Sequence, residues 1–127
     1  MNALGTHLLL DLEDCSPALL DDVDHVRQAL VSAASEAGAT IVGETFHKFQ
    51  PVGVTGILAI AESHMGVHTW PEYSFAAVDI FTCGEDFSPH KAAALLIDRF
   101  ECANPTLKEV QRGFIERRVA SPVEVSR

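Results

Sequence analysis

Twelve residues, Ala61-Glu62-Ser63-His64-Met65-Gly66-Val67-His68-Thr69-Trp70-Pro71-Glu72, bring a serine hydroxyl, two imidazoles and two carboxylates into one short stretch. One strand's length further on, Asp79-Ile80-Phe81-Thr82-Cys83-Gly84 adds a thiol. A serine that follows a carboxylate residue, with histidines nearby, suits rearrangement of the peptide bond ahead of it. The Ser63 hydroxyl attacks the carbonyl of Glu62 and exchanges the amide for an ester. A base then takes the Cα proton of residue 63, and elimination breaks the chain. The dehydroalanine that remains hydrolyses to an N-terminal pyruvoyl group. Such a ketone forms a Schiff base with an amine and serves as an electron sink, as pyridoxal phosphate does. His68 is the candidate base, because imidazole titrates near neutral pH without special tuning.

His64 lies four residues before His68, and on an extended chain both side chains share one face. A zinc site built from Glu62, His64 and His68 would want the i, i+4 spacing of a helix. Gly66 and Thr69-Trp70-Pro71 oppose a helix, so no metal is assigned. Phe49 and Trp70 can pack on an adenine ring, since bases stack favourably on aromatics. Trp70 also suits a core position, where large aromatics are common. Glu72 can accept hydrogen bonds from ribose hydroxyls or pair with a substrate cation. Asp11, Glu13 and Asp14 form an acidic group suited to a sulfonium. Gly53-x-x-Gly56 lacks the lysine–hydroxyl pair of a phosphate loop.

The motif Glu-Ser-His-x-x-x-His-Thr-Trp-Pro-Glu, followed by Ala-Ala-Val-Asp-Ile-Phe-Thr-Cys-Gly, resembles the prokaryotic pyruvoyl-dependent S-adenosylmethionine decarboxylases. Gly5-Thr6-His7-Leu8, Gly38-Ala39-Thr40-Ile41-Val42, Phe46-His47-Lys48-Phe49 and Gly53-Val54-Thr55-Gly56 extend the resemblance across residues 4–100. It implies a single domain over residues 1–127, cleaved between Glu62 and Ser63 into a β fragment (1–62) and an α fragment (63–127). Ser63 is then the precursor of the pyruvoyl cofactor. Cys83 becomes the thiol that reprotonates the substrate carbon after decarboxylation, a residue that alone reads equally as a core cysteine. Thr55 stands where the family usually has serine, and its hydroxyl is placed to bond the ester or oxyanion during processing; a strand threonine is the alternative. The implied substrate is adenosylmethionine, whose decarboxylated form donates aminopropyl groups in spermidine and other polyamine synthesis.

Three positions depart from the family pattern: Gly66 replaces serine or threonine, Ser74-Phe75 replaces glycine-tyrosine, and Met65 replaces leucine or isoleucine near the reacting centre. Met65 and Gly66 bear on the substrate pocket rather than on processing. Arginine and ornithine, decarboxylated by relatives with the same pyruvoyl chemistry, therefore stand as alternative substrates. A non-catalytic relative that keeps the fold is the alternative from another class.

Composition sets the frame. A chain of 127 residues with 47% hydrophobic residues is sized for one packed domain. A net charge of −9 disfavours nucleic acid and anionic membrane as partners. It is unevenly spread, −7 over residues 1–62 and −2 over residues 63–127, which suits a cationic ligand or simply a solvated surface. No run reaches the ~20 apolar residues of a membrane helix, and no signal-peptide pattern opens the chain. Cys15, Cys83 and Cys102 are odd in number and lack C-x-x-C spacing, which points away from a disulfide framework or zinc site and toward a reducing cytoplasm.

The elements that position these residues follow from periodicity. Gly5 to Leu12 reads as a buried strand. Ser16-Pro17 starts a helix that Leu19, Leu20, Val23, Val26, Leu30, Val31 and Ala34 carry to Gly38. Strands are expected at Thr40–Phe49, at Val54–Ile60 with an extended continuation through Gly66–Trp70, and at Phe75–Thr82. Ser88-Pro89 starts a second helix, Asn104-Pro105 breaks it, Leu107–Val119 reads as a last strand and Ser121 onward as a frayed tail. The order β-α-β-β-β-α-β gives an α+β two-layer sandwich, an antiparallel sheet with both helices on one face. The other face is left uncovered, which calls for a partner. The family resemblance implies the same: a homodimer stacked sheet to sheet in four αββα layers, with active sites near the interface.

Overall fold

The computed structural model describes residues 3–115. The elements run β1 (Ala3–Glu13), α1 (Pro17–Leu20), α2 (Val23–Glu36), β2 (Ile41–Lys48), β3 (Val54–Ile60), β4 (Ser63–Trp70), a 3₁₀ turn (Pro71–Tyr73), β5 (Phe75–Thr82), α3 (Pro89–Arg99) and β6 (Asn104–Phe114). The six strands form one antiparallel sheet in the order β2-β3-β4-β5-β1-β6. This is the expected α+β sandwich, with the helices on one face.

Period-2 burial shows which face is which. Along β5 each inward residue (Ala76, Val78, Ile80, Thr82) is buried and each outward one is partly open. The inward side chains of the sheet, among them Leu8, Leu10, Leu12, Leu58, Met65 and Ile80, pack against Val26, Leu30 and Ala33 of α2 and Leu96 and Phe100 of the α3 end. Each such aliphatic residue contributes ~1.5–3 kcal/mol by leaving water, so this layer defines the fold. The outward face carries Leu9, Ile57 and Val110, each more than 40% exposed. That uncovered apolar surface is the one expected from the strand pattern. No helix among the described residues is long and apolar enough to cross a membrane.

Four features differ from the sequence expectation. The first helix is two. Asp21 ends α1, and Asp22 caps α2 by accepting the Asp24 and His25 N–H groups at 3.0 and 3.2 Å. The Asp21 side chain reaches across the fold, accepting from the Gly53 N–H at 2.8 Å and the Lys48 Nζ at 3.1 Å. Second, the stretch after Ile60 is not a continuation but a reversed strand, β4, because Ala61-Glu62 is a two-residue turn that pairs Ile60 with Ser63. Third, Asn104-Pro105 opens β6 rather than merely ending α3. Pro105 pairs with Leu12 at the sheet edge, where a missing N–H costs no ladder bond. Fourth, β6 begins earlier than Leu107 and ends at Phe114; the remainder of that expected strand and the tail from Ser121 lie outside the described residues.

The Asp21 contacts pin the Gln50–Gly53 turn, where Gly53 has φ 110°, a conformation that favours glycine. The Gly53 N–H, and after it Lys48, holds the Asp21 carboxyl below its ordinary range. A depressed carboxyl stabilises the fold above its unfolded-state pKa, and this contribution disappears as pH falls through the folded-state value. We therefore expect Asp21→Asn to lower the thermal midpoint at neutral pH. The gap to wild type should persist down to about pH 4, the unfolded-state value, and close as pH falls below it, which scanning calorimetry at several pH values measures.

Candidate active site

The β3–β4 turn concentrates the chemistry. Glu62 sits there with φ 63°, a left-handed conformation unusual for a residue with a side chain and costing about 1–3 kcal/mol. Its carbonyl oxygen accepts two hydrogen bonds from one residue: the Cys83 N–H at 3.3 Å and the Cys83 thiol at 2.9 Å. The carbonyl that Ser63 would attack is thus already polarised by two donors. The Ser63 hydroxyl is oriented by the Ala61 carbonyl at 3.3 Å and by the Thr82 Oγ1 at 3.1 Å. Ser63 and Thr82 are direct cross-strand partners, and Thr82 is buried. A cavity of roughly 570 Å³ lined by Thr40, Ala61, Glu62, Cys83 and Gly84 opens beside this turn. Thr82 stands within the Cys83 motif, yet its role depends on the register of β4 against β5, which no local pattern reveals.

A second group gathers at the opposite end of β4. Phe49, Thr55, His68, Trp70 and Glu72 line one cavity of roughly 240 Å³. Thr55 Oγ1 and His68 Nδ1 are hydrogen-bonded at 3.1 Å across the β3–β4 pair. Trp70 is 40% and Phe49 46% exposed, so neither is a core residue. Trp70 lies 5.6 Å from the ring of Phe75, and Phe49 stands edge-on to His47 at 4.5 Å. Two aromatic faces, a carboxylate, a hydroxyl and an imidazole therefore face one cavity, as adenosine recognition would require.

The two groups do not meet within one chain. Ser63 and His68 are five residues apart on a strand, which is ~17 Å at ~3.3 Å per residue. Their odd separation also sends the side chains to opposite faces, Ser63 toward the helices and His68 outward. Hence His68 cannot take the Cα proton of its own residue 63. Met65 is fully buried in the helix-side core and contacts no cavity described above, so its expected place against substrate is not formed in the single chain. His64 and His68 share the outer face but stand ~13 Å apart, too far to hold one ion. His64 instead lies 3.5 Å from Asp79 and, with it, beside His7. Gly66 leaves room for this carboxylate, as a Cβ there would come within 3.3 Å of Asp79 Oδ1. Burial, opposed by Asp79, lowers the pKa of His7, and Arg112 Nη1 lies 3.3 Å from its Nδ1.

Comparison with known proteins identifies the family. Residues 6–113 match the family model for S-adenosylmethionine decarboxylase. An S-adenosylmethionine decarboxylase proenzyme from Thermodesulfovibrio yellowstonii is 52% identical, covering 93% of this chain and 87% of that protein. One from Moorella thermoacetica is 46% identical over 98% of this chain and all of the relative. The crystal structure of the adenosylmethionine decarboxylase from Aquifex aeolicus superposes with a TM-score of 0.86 at 30% identity, covering 95% of this chain and all of that one. The chain belongs to the S-adenosylmethionine decarboxylase family.

Proposed function

We propose that this protein is a self-processing, pyruvoyl-dependent S-adenosylmethionine decarboxylase that works as a homodimer in the cytoplasm and supplies an aminopropyl donor for polyamine synthesis. The observation that carries the reading is the Glu62 carbonyl, held by the Cys83 N–H and thiol beside the Ser63 hydroxyl. The names of the relatives as proenzymes support it.

The geometry at the Glu62-Ser63 turn supports the following course of processing. Ser63 Oγ adds to the Glu62 carbonyl carbon, and the two Cys83 donors stabilise the oxyanion, as preorganised donors do in acyl transfer. Collapse breaks the C–N bond, and the proton given up by the Ser63 hydroxyl passes to the freed nitrogen, leaving Glu62 esterified to Ser63. Removal of the Cα proton expels the Glu62 carboxylate. Water then converts the dehydroalanine to the pyruvoyl group and ammonia. Cleavage also releases the left-handed strain at Glu62. The fragments stay together because β1, from the first fragment, lies between β5 and β6 of the second.

The base comes from a second copy. A two-fold axis lying between the two open faces, perpendicular to β4 near its middle, exchanges the ends of the strand and lays the partner's Thr55 and His68 over Ser63. It also brings the partner's Phe49, Trp70 and Glu72 to the same place, where they hold the adenine and ribose. Burial of the apolar outer face favours this pairing. When formed, the pyruvoyl group supplies a carbonyl that draws off the electron pair left by departing carbon dioxide. Cys83 then delivers a proton to the substrate carbon.

Two results are expected. Cys83→Ser, which keeps a hydroxyl donor to Glu62, should still be cleaved, while turnover falls by about 10²–10⁴-fold, the usual range for a lost general acid. Wild-type turnover in that variant, measured as carbon dioxide release, would remove the thiol from its role. Trp70→Ala should lower kcat/KM for adenosylmethionine by roughly 5- to 150-fold, one stacking contact of ~1–3 kcal/mol. Processed enzyme given adenosylmethionine, arginine and ornithine in parallel tests the substrate. Release from adenosylmethionine alone is expected, and release only from arginine or ornithine would overturn the assignment.

A further inference from the structure

Two cysteines outside the site are placed as a pair. Asp14 and Glu101, each immediately before a cysteine, both adopt left-handed backbone, with φ 59° and 52°. Neither is glycine, so two tight turns are held in an uncommon conformation at the same corner of the fold. The turns are tied to one another by backbone bonds on both sides. The Ala103 N–H donates to the Asp14 carbonyl at 3.1 Å, and the Ser16 N–H to the Phe100 carbonyl at 3.2 Å. Between these ties lie Cys15 and Cys102. Their thiols donate to neighbouring carbonyls of the β1 end, Cys15 to Leu12 at 3.4 Å and Cys102 to Glu13 at 3.1 Å.

We infer that Cys15 and Cys102 form a reversible disulfide that ties the β1–α1 corner to the end of α3. Disulfide geometry requires side chains on closely approaching backbones, and the two tied turns bring both thiols to the adjacent Leu12 and Glu13 carbonyls. On the reading of cleavage after Glu62, Cys15 belongs to the first fragment and Cys102 to the second. The bond is then a covalent link between the halves of the processed enzyme, formed after the peptide link between them is lost. Cys83 is not involved, since its thiol is committed to the Glu62 carbonyl at the far end of β5.

The chemistry needs a two-electron oxidant, a low-molecular-weight disulfide. Cys102, only partly buried, meets it first: its thiolate attacks one sulfur, forms a mixed disulfide and releases one thiol. Cys15 then loses its proton, attacks the Cys102 sulfur and expels the second thiol. The protein loses two electrons and two protons, and the small disulfide becomes two thiols. Burial, and after it Cys102, pushes the Cys15 thiol up to about 12. Cys15 therefore waits protonated, and closure is slow but, once made, shielded in the core.

Peptide mapping tests this. Full-length wild type and Ser63→Ala protein are incubated with oxidised glutathione at mildly alkaline pH, capped with N-ethylmaleimide and digested with trypsin without reduction. The expected species joins the peptide of residues 1–27 to that of residues 100–108, two hydrogens lighter than the separate thiols. It should appear in both proteins and vanish in Cys102→Ser. On the wild type, a non-reducing gel should show one band that reduction splits into two. If the map shows Cys15 and Cys102 only capped by maleimide, or linked only to glutathione, the inference is wrong. Linked peptides in a protein that never splits on reduction would uphold the disulfide and instead contradict the cleavage reading.

Discussion

Ser63→Ala protein should remain a single 127-residue chain and release no carbon dioxide from adenosylmethionine. The hydroxyl is the attacking atom, and no neighbouring group replaces it. Thr82, the nearest other hydroxyl, is hydrogen-bonded to Ser63 and sits on another strand, where addition to the Glu62 carbonyl would not cleave the 62–63 bond by elimination. The loss is therefore complete rather than partial. Ser63→Thr keeps the nucleophile but adds a methyl group beside the buried Thr82, so slow cleavage is expected there. A denaturing gel and a carbon dioxide assay read both variants. Equal cleavage in Ser63→Ala would move the scissile bond elsewhere.

His68→Ala is expected to slow processing by about 10²–10⁴-fold, the contribution of a positioned base. The more searching outcome comes from mixing. Co-expressed Ser63→Ala and His68→Ala chains form heterodimers in which one site combines the Ser63 of one chain with the His68 of the other. In such a mixture the His68→Ala chain should be cleaved and the Ser63→Ala chain should stay whole, with mass spectrometry distinguishing them. If the His68→Ala chain stays uncleaved in the mixture, the site is not shared between copies.

The fold was legible where it is local. Ser16-Pro17 and Ser88-Pro89 start helices as their cap chemistry dictates, and β3 and β5 have the bounds that their alternating residues suggest. The misreadings have long-range causes. Nothing near Asp21 in sequence shows that its carboxylate will hold Gly53, thirty-two residues away, and so end α1 early. Ala61-Glu62 carries no glycine, asparagine or proline, so the reversal into β4 has no turn signature. Proximity in sequence also made Ser63 and His68 look like immediate neighbours, whereas an extended strand carries them apart and to opposite faces. The types of residue in the candidate site could thus be read from the chain. Their grouping into two clusters at opposite ends of β4, and the role of Thr82, depend on strand register.

Intact-mass spectrometry of the purified wild-type protein tests self-processing most directly. Two species are expected after incubation at neutral pH: residues 1–62, and residues 63–127 lighter by one ammonia than a chain that begins with serine. A single species with the mass of the uncut chain, unchanged over long incubation, would contradict it.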